Sequence, residues 1–484
     1  RYWQTGMTRW ALAFAVSVAL LSVGGFPFVT LVGVIAGIIL GAVLLVADWN
    51  LRRFVGLLVA GLAGASLTLP AIYQFAEFLQ QTNLSYRTGG TGLRLDDLSH
   101  LIGVDVGTRI SVERTFFAGT LAAVFSVASY FLVLFRPNRY AIFGALVAFF
   151  VLCTAYGLAP AFLVEKIPGF SMNPWSRSGV LVGLSFAVLS AYFLSHLLRG
   201  SWLHKNWLIT SIVLAAVFGI QTWQLHQQFT LYNSRPSKET YFPPTPTLSY
   251  ISQHLLPFQS AVADASFVVS GTIGNYGIPE FLAHGFRTPG QRDIIDDIVR
   301  DPFTTPTASI FGCERMDPFS KAADFAGVRY FLIAGPCEIT DAMVHHRLEN
   351  GIFIVENPEV TGSAYYLAEL SEDATPDYSS LTLTKHSITN FAFSYHGTMP
   401  GWVVVPFRYA PSWRITVNGA EVPVELLFGV FPAVEVDGSA SIEYSFIDDD
   451  LGKMSAVGFA GFGVCLFALF AVDRRKRGQG AAPS

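Results

Sequence analysis

The chain has 484 residues, 52% of them hydrophobic and 14% charged, with a mean hydropathy of +0.45 and a net charge of −4. That composition is too apolar for a soluble protein of this length. The apolar residues are also clustered, in runs near 11–23, 28–47, 54–72, 116–135, 141–164, 180–198, 208–223 and 455–472. Each run reaches, or nearly reaches, the about 20 helical residues needed to cross a hydrocarbon core. The spacing predicts a polytopic α-helical membrane protein with about eight transmembrane helices. No Asp, Glu, Lys or Arg falls within these runs. That argues against a transporter, whose spans tend to carry charge.

Basic residues flanking a span mark its cytoplasmic side. Arg474, Arg475, Lys476 and Arg477 follow the last run directly and place the C-terminus in the cytoplasm. Eight spans then put the N-terminus and the turns at 48–53, 136–140 and 199–207 on the same side. With the tail, these segments carry twelve Lys and Arg but only two acids, Asp48 and Asp473. The organisation expected is a helical region over 1–223 with an outer loop at 73–115. A mixed α/β region follows at 224–365, then a β-sandwich at 366–450, then a final helix and basic tail at 451–484. The polar region lies outside the cytoplasm, between the seventh and last helices.

From Lys238 to Asp450 there are 11 Lys and Arg against 27 Asp and Glu, a balance of −16. That argues against nucleic acid as a partner, because phosphate binding needs a basic face; the other reading is that the charge simply keeps an exposed domain soluble. Residues 224–246, with Pro236, Pro243, Pro244 and Pro246, read as a connector. Strands are expected at 266–269, 328–333 and 352–355, and an amphipathic helix at 291–300. From 380 onward the apolar period becomes two, giving strands at 387–396, 402–407, 413–417, 422–426, 433–436 and 441–446. Asn418-Gly419 and Asp437-Gly438 both read as two-residue hairpins.

Cys153 and Cys465 fall inside spans, as small apolar side chains. Cys313 and Cys337 lie in the outer region, where disulfides persist. They are either two thiols or a bridge closing a loop of about 25 residues, worth roughly 3 kcal/mol. No C-x-x-C is present, and His345-His346 reads as a solvated pair, so no metal is expected. Trp402 and Trp413 are suited either to the core of the sandwich or to stacking on a sugar.

Three stretches resemble the YfhO-type bacterial membrane proteins of the GT-C glycosyltransferase superfamily. The first is Ile167-Pro168-Gly169-Phe170 followed by Arg177. The second pairs Ala326-Gly327-Val328-Arg329-Tyr330-Phe331-Leu332 with Gly351-Ile352-Phe353-Ile354-Val355-Glu356-Asn357-Pro358. The third is Ala410-Pro411-Ser412-Trp413-Arg414-Ile415-Thr416-Val417-Asn418-Gly419. Two departures stand out. Val360-Thr361-Gly362-Ser363-Ala364 replaces the family's Leu-Pro-Arg stretch, and the family's longer opening block of spans is missing. With Arg1 at its start, the chain is expected to be the C-terminal portion of a longer protein. The resemblance implies a transferase of the bacterial plasma membrane. Its donor would be a polyprenyl-phosphate sugar, drawn from the membrane lipid, and its acceptor a cell-envelope polymer or glycan.

Outer loops hold several basic residues on the side where they are disfavoured: Arg87, Arg94, Arg109 and Arg114, then Lys166 and Arg177. Arg87, Arg94, Arg109 and Arg177 are candidates for binding the donor's lipid phosphate, since a guanidinium grips phosphate oxygens in pairs. The alternative is pairing with lipid headgroups or with Asp96, Asp97, Asp105 and Glu113. Asp96-Asp97 resembles the acidic pairs of GT-C active sites, and Asp97 is a fallback general base. Leu95, Leu98, Leu101 and Ile102 at helical spacing make the polar side of an interfacial helix the other reading, with His100 on the same face. The main catalytic base is expected upstream of Arg1. The competing reading of the whole chain is a non-catalytic, membrane-anchored glycan-binding or envelope-assembly protein.

Overall fold

The computed structural model describes residues 8–24, 27–80, 82, 93, 101, 116, 119–158, 175–199, 205–232, 243, 245–264, 271–282, 287–302, 312–334, 344–347 and 352–479. Two compact units emerge. One gathers Arg1–Tyr73, Arg87–Arg235 and Lys453–Ser484, the other Gln74–Tyr86 and Pro236–Gly452.

The first unit is helical. Its helices are α1 (Thr8–Gly24), α2 (Pro27–Ala47), α3 (Leu51–Leu67), α4 (Leu69–Gln80, which runs on into the second unit), α5 (Thr120–Phe135), α6 (Arg139–Ala155), α7 (Gly179–Leu198) and α8 (Trp207–Tyr232). A C-terminal helix covers Asp449–Gln479. Among the described residues four segments are long and apolar enough to cross a membrane: Phe28–Ala47, Gly179–Leu198, Trp207–Gln227 and Asp449–Ala471. The pair α3 and α4 makes a fifth if counted as one bent span. Thr8–Val23, Thr120–Phe135 and Arg139–Ala155 are apolar but shorter. At 17 residues, α6 is about 25 Å long, short of a full hydrocarbon core.

Two helices differ from the sequence expectation for local reasons. The run at 54–72 bends by 62° after Leu67. Pro70 has no N–H for the preceding turn and its ring clashes with the carbonyl four residues back. Thr68 closes the break, its hydroxyl donating to Ala65 O at 2.8 Å. The run at 141–164 ends as a helix at Ala155, where Gly157 takes a positive φ of 69° and Leu158 N bonds back to Cys153 O at 2.7 Å.

Small and hydroxylated residues pack these helices. A Cβ on Gly64 would meet Val18 Cβ of α1 at 2.8 Å, and one on Gly461 of the C-terminal helix would meet Ser66 Oγ at 3.0 Å. Ser129 Oγ donates to Leu189 O at 2.6 Å and Ser190 Oγ to Ala122 O at 3.2 Å, stitching α5 to α7. Helices without a hydrophobic drive between them associate through such close approaches and hydrogen bonds.

In the second unit, β1 (Ser260–Ala263), β2 (Val328–Ala334), β3 (Val344–Arg347) and β4 (Ile352–Glu356) form a sheet of order β1-β2-β4-β3. The β1–β2 pair is parallel and the others antiparallel. Helices α9 (Pro246–His254), α10 (Pro289–Ile298) and α11 (Lys321–Phe325) accompany it. Thr245 caps α9, Ser320 caps α11, and Thr288 with Gln291 forms a capping box on α10. The expected strand at 266–269 lies outside the described residues; β1 sits just before it.

A sandwich follows. Strands β5 (Tyr365–Leu367), β6 (Leu381–His386), β7 (Asn390–Tyr395), β8 (Gly401–Val404), β9 (Trp413–Val417), β10 (Ala420–Glu421), β11 (Glu425–Leu427), β12 (Phe431–Val436) and β13 (Ala440–Phe446) form sheets of order β10-β9-β13-β7-β6 and β11-β12-β8-β5. Asn418-Gly419 is a two-residue hairpin as expected, with φ of 52° and 81°. Asp437-Gly438 is not: β12 and β13 belong to different sheets, so this turn crosses the sandwich. Period-two patterning marks a strand but not which sheet it joins. One apolar cluster unites Phe331 and Val355 of the first sheet with Val404, Phe431 and Ala433 of the sandwich.

Tyr444 is fully buried, stacks on Phe391 at 4.5 Å, and its hydroxyl has no hydrogen-bond partner among the described residues. An unpaired buried hydroxyl costs about 1–3 kcal/mol. Tyr444→Phe is therefore expected to leave stability unchanged or raise it by about 1 kcal/mol. Thermal unfolding of the full chain in detergent measures this, and a clear loss of stability would refute the unpaired hydroxyl.

Candidate functional site

Of the basic residues singled out in the outer loops, Arg177 is described. It is exposed, in the turn Trp175–Ser178 that leads into α7. Arg87, Arg94, Arg109, Arg114 and Lys166 lie outside the described residues, as do Asp96, Asp97 and His100. Cys337 also lies outside them. Cys313 opens the short turn Cys313–Arg315. Cys153 and Cys465 are free thiols. Trp413 packs its ring on Phe391, Phe407 and Phe446 at 5.2–5.4 Å, and Trp402 packs against the shared core. Both rings are partly buried and pack against the core clusters. Among the described residues no His, Cys, Asp and Glu group has a metal-holding arrangement.

The second unit contains a cleft that none of these residues lines. It has a volume of about 360 Å³ and lies between the α/β layer and the sandwich. Phe258, Gln259, Ser260, Glu280 and Phe281 come from the α/β side, Phe407, Arg408 and Phe431 from the sandwich.

Local backbone chemistry sets these side chains. Phe258 has a φ of 66°, which bulky residues rarely adopt and which costs on the order of 1–3 kcal/mol. Two residues on, Ser260 N donates to Gly327 O at 2.9 Å and begins the parallel pairing with β2. Gly327 itself has a φ of 65°, and a Cβ there would meet Pro406 Cγ at 2.9 Å and Phe258 O at 3.1 Å. Glycine at this position lets the sandwich loop reach the start of β1. Across β1, Ala261 N donates to Pro279 O and Phe281 N to Ala261 O, which holds Glu280 beside the strand. Gln259, almost fully buried, uses its amide to bind Val360 O and Gly362 O, both at 3.1 Å.

Burial raises the pKa of Glu280, opposed by the Gly271 and Ile273 amides and by the Arg287 guanidinium. Gly271 N donates to its Oε2 at 2.7 Å, while its Oε1 has no partner among the described residues. Ser260 Oγ is likewise buried without a partner. Burial lowers the pKa of Arg408, whose guanidinium stacks over Phe78 at 5.0 Å. The cleft thus combines aromatic rings, a half-buried carboxyl, a hydroxyl and a cation. Rings offer flat apolar faces, and the polar groups offer donors and acceptors to a ligand. The volume lies at the small end of ligand sites. No sequence signal marked Glu280 or Arg408: Ile278-Pro279-Glu280-Phe281 is an ordinary loop until β1 lies beside it.

A carboxyl whose folded pKa exceeds its unfolded value holds extra protons in the native state. Stability is then complete below the ordinary glutamate value of about 4.3 and falls as pH rises through the raised native value. Glu280→Gln keeps the shape without the charge. It should flatten the dependence of Tm on pH over that window and raise Tm at neutral pH. Parallel wild-type and variant curves would contradict desolvation of Glu280. No protein-family model, curated protein or solved structure matches the chain.

Proposed function

We propose that the chain is the C-terminal part of an integral-membrane glycosyltransferase that modifies an envelope glycan outside the cytoplasm. In this reading about eight spans cross the bacterial plasma membrane with both ends of the chain cytoplasmic, and the second unit lies outside. The donor is a polyprenyl-phosphate sugar. Its phosphate meets Arg177, with Arg87, Arg94 and Arg109, where fixed guanidiniums stabilise the leaving phosphate. The cleft between the α/β layer and the sandwich holds the acceptor glycan.

The observation that carries this reading is that cleft: polar groups of both charges among aromatic rings, in the unit attached to long apolar helices. The resemblance of 167–177, 326–358 and 410–419 to the YfhO-type proteins supplies the reaction class. A second reading is a non-catalytic, membrane-anchored glycan binder. It is favoured by the fact that every residue lining the cleft belongs to the second unit, so a glycan could be held without the helices taking part.

Binding and transfer separate the two. Envelope oligosaccharides titrated onto the full chain in proteoliposomes should bind, and Glu280→Gln and Arg408→Gln should each weaken binding about tenfold, as expected for a lost hydrogen bond to a charged group. Unchanged binding in both variants would remove the cleft from the reading. In the longer protein, Arg177→Ala should lower transfer from a polyprenyl-phosphate sugar while leaving oligosaccharide binding intact. Arg177→Lys should restore transfer only in part, because paired contact with phosphate is lost. Wild-type transfer in Arg177→Ala would remove Arg177 from the donor site, whereas oligosaccharide binding without any transfer by the unsubstituted protein would leave the binder as the better reading.

A further inference from the structure

One end of the sandwich carries apolar side chains that the fold does not cover. The turn Ser387-Ile388-Thr389 joins β6 to β7, and Ile388 is 95% exposed. Burial of an isoleucine at a turn tip is not needed for the fold, and a bare one in water is unfavourable. The turn is tied to the chain end of β13: Phe446 N donates to Thr389 O at 2.9 Å, and Ile447 N donates to Ser412 O at 2.7 Å. Phe446 and Ile447 are themselves 40% and 41% exposed, and Trp413 packs edge-on against Phe446 at 5.3 Å. Two residues after Ile447 the C-terminal helix begins, and its segment Asp449–Ala471 is one of those able to cross a membrane.

We infer that this end of the sandwich, led by Ile388, rests in the lipid interface and orients the second unit on the membrane surface. The occupant is the bilayer because of chain continuity. Ile388 is bonded through Thr389 to a strand that enters the apolar helix within three residues, so it lies where headgroups give way to acyl chains. Side chains of this kind beside aromatic rings favour that zone. Two ion pairs lie at the same end, Arg414 with Asp449 and Lys385 with Glu443 at 3.1 Å. Their ion pairing lowers the cost of bringing charge near hydrocarbon. Within the same unit, Gln74 of α4 donates to Asp448 Oδ2 at 3.1 Å. That amphipathic helix leaves Phe75 exposed at the same end, adding a second apolar contact with lipid.

The inference rests on the C-terminal helix crossing the membrane, and the test keeps the two apart. A fluorescent amino acid sensitive to polarity is placed at position 388, 399 or 467 of the full chain, reconstituted in phosphatidylethanolamine–phosphatidylglycerol vesicles. Emission is then quenched by phospholipids brominated at shallow positions on the acyl chain. Met399 is also exposed and apolar, but lies beyond the opposite end of β7, about 17 Å or more away along the strand. Phe467 is exposed on the C-terminal helix and reports the span itself. The expected result is blue-shifted, quenched emission at 388 and 467 but not at 399. Interfacial side chains sit about 5–10 Å deep, within reach of such quenchers, so a change of about twofold is expected. Quenching at 467 with 388 behaving like 399 would overturn the inference and leave the span standing. No quenching at 467 or 388 would overturn both. Because Ile388 is almost fully exposed, its replacement does not disturb packing.

Discussion

The second unit depends on how the short segment Asn357–Gly362 is held as the chain leaves the α/β layer for the sandwich. Its carbonyls point inward and have no strand to pair with. Arg329 donates to Asn357 O at 2.7 Å and Val360 O at 2.8 Å while forming an ion pair with Glu356. Gln259 supplies further donors to Val360 O and Gly362 O. Asn357, wholly buried, ties the segment to α11 by donating to Asp324 Oδ1 at 2.7 Å. Buried polar backbone without such partners would cost free energy at every group. With them, the two layers share one core and leave a cleft between them.

The same donors connect the joint to the candidate site. Gln259 serves the segment with its amide nitrogen and lines the cleft at the start of β1, next to the strained Phe258 and the unpaired Ser260 hydroxyl. Backbone strain and unsatisfied polar atoms gather within a few residues of the half-buried Glu280. These are features that stability alone would remove, since an apolar residue in place of each would be less costly. Their coincidence in a cleft lined by aromatic rings is the physical reason for reading it as a binding site.

The helical unit obeys a different constraint. Apolar side chains cover its exterior, so no hydrophobic gain separates one helix partner from another, and close approach decides the packing. Gly64 against Val18, Gly461 against Ser66, and the serines joining α5 to α7 provide it. Ser126, Ser129 and Ser185 are buried among the helices.

Much of the architecture was legible along the chain because it is local. Hydropathy located the apolar helices, and the period-two runs located β9 over Trp413–Val417 residue for residue. Asn418-Gly419 predicted its own turn because positive φ at both positions is a property of those two residues. What local pattern could not carry was pairing. Strand β6 ends where a single longer strand had been expected to begin, because the turn at Ser387–Thr389 is built by a serine hydroxyl that bonds Asn390 rather than by glycine. The Asp437-Gly438 turn crosses between sheets because both its strands already have better partners, β8 for β12 and β7 for β13. The cleft is of the same kind. Glu280 and Arg408 stand 128 positions apart and neither sits in a motif, so only the folding of the sandwich onto the α/β layer lines one cavity with both. Periodicity and turn chemistry act over a few residues. Desolvation, which makes Glu280 a candidate, arises only when distant segments exclude water together.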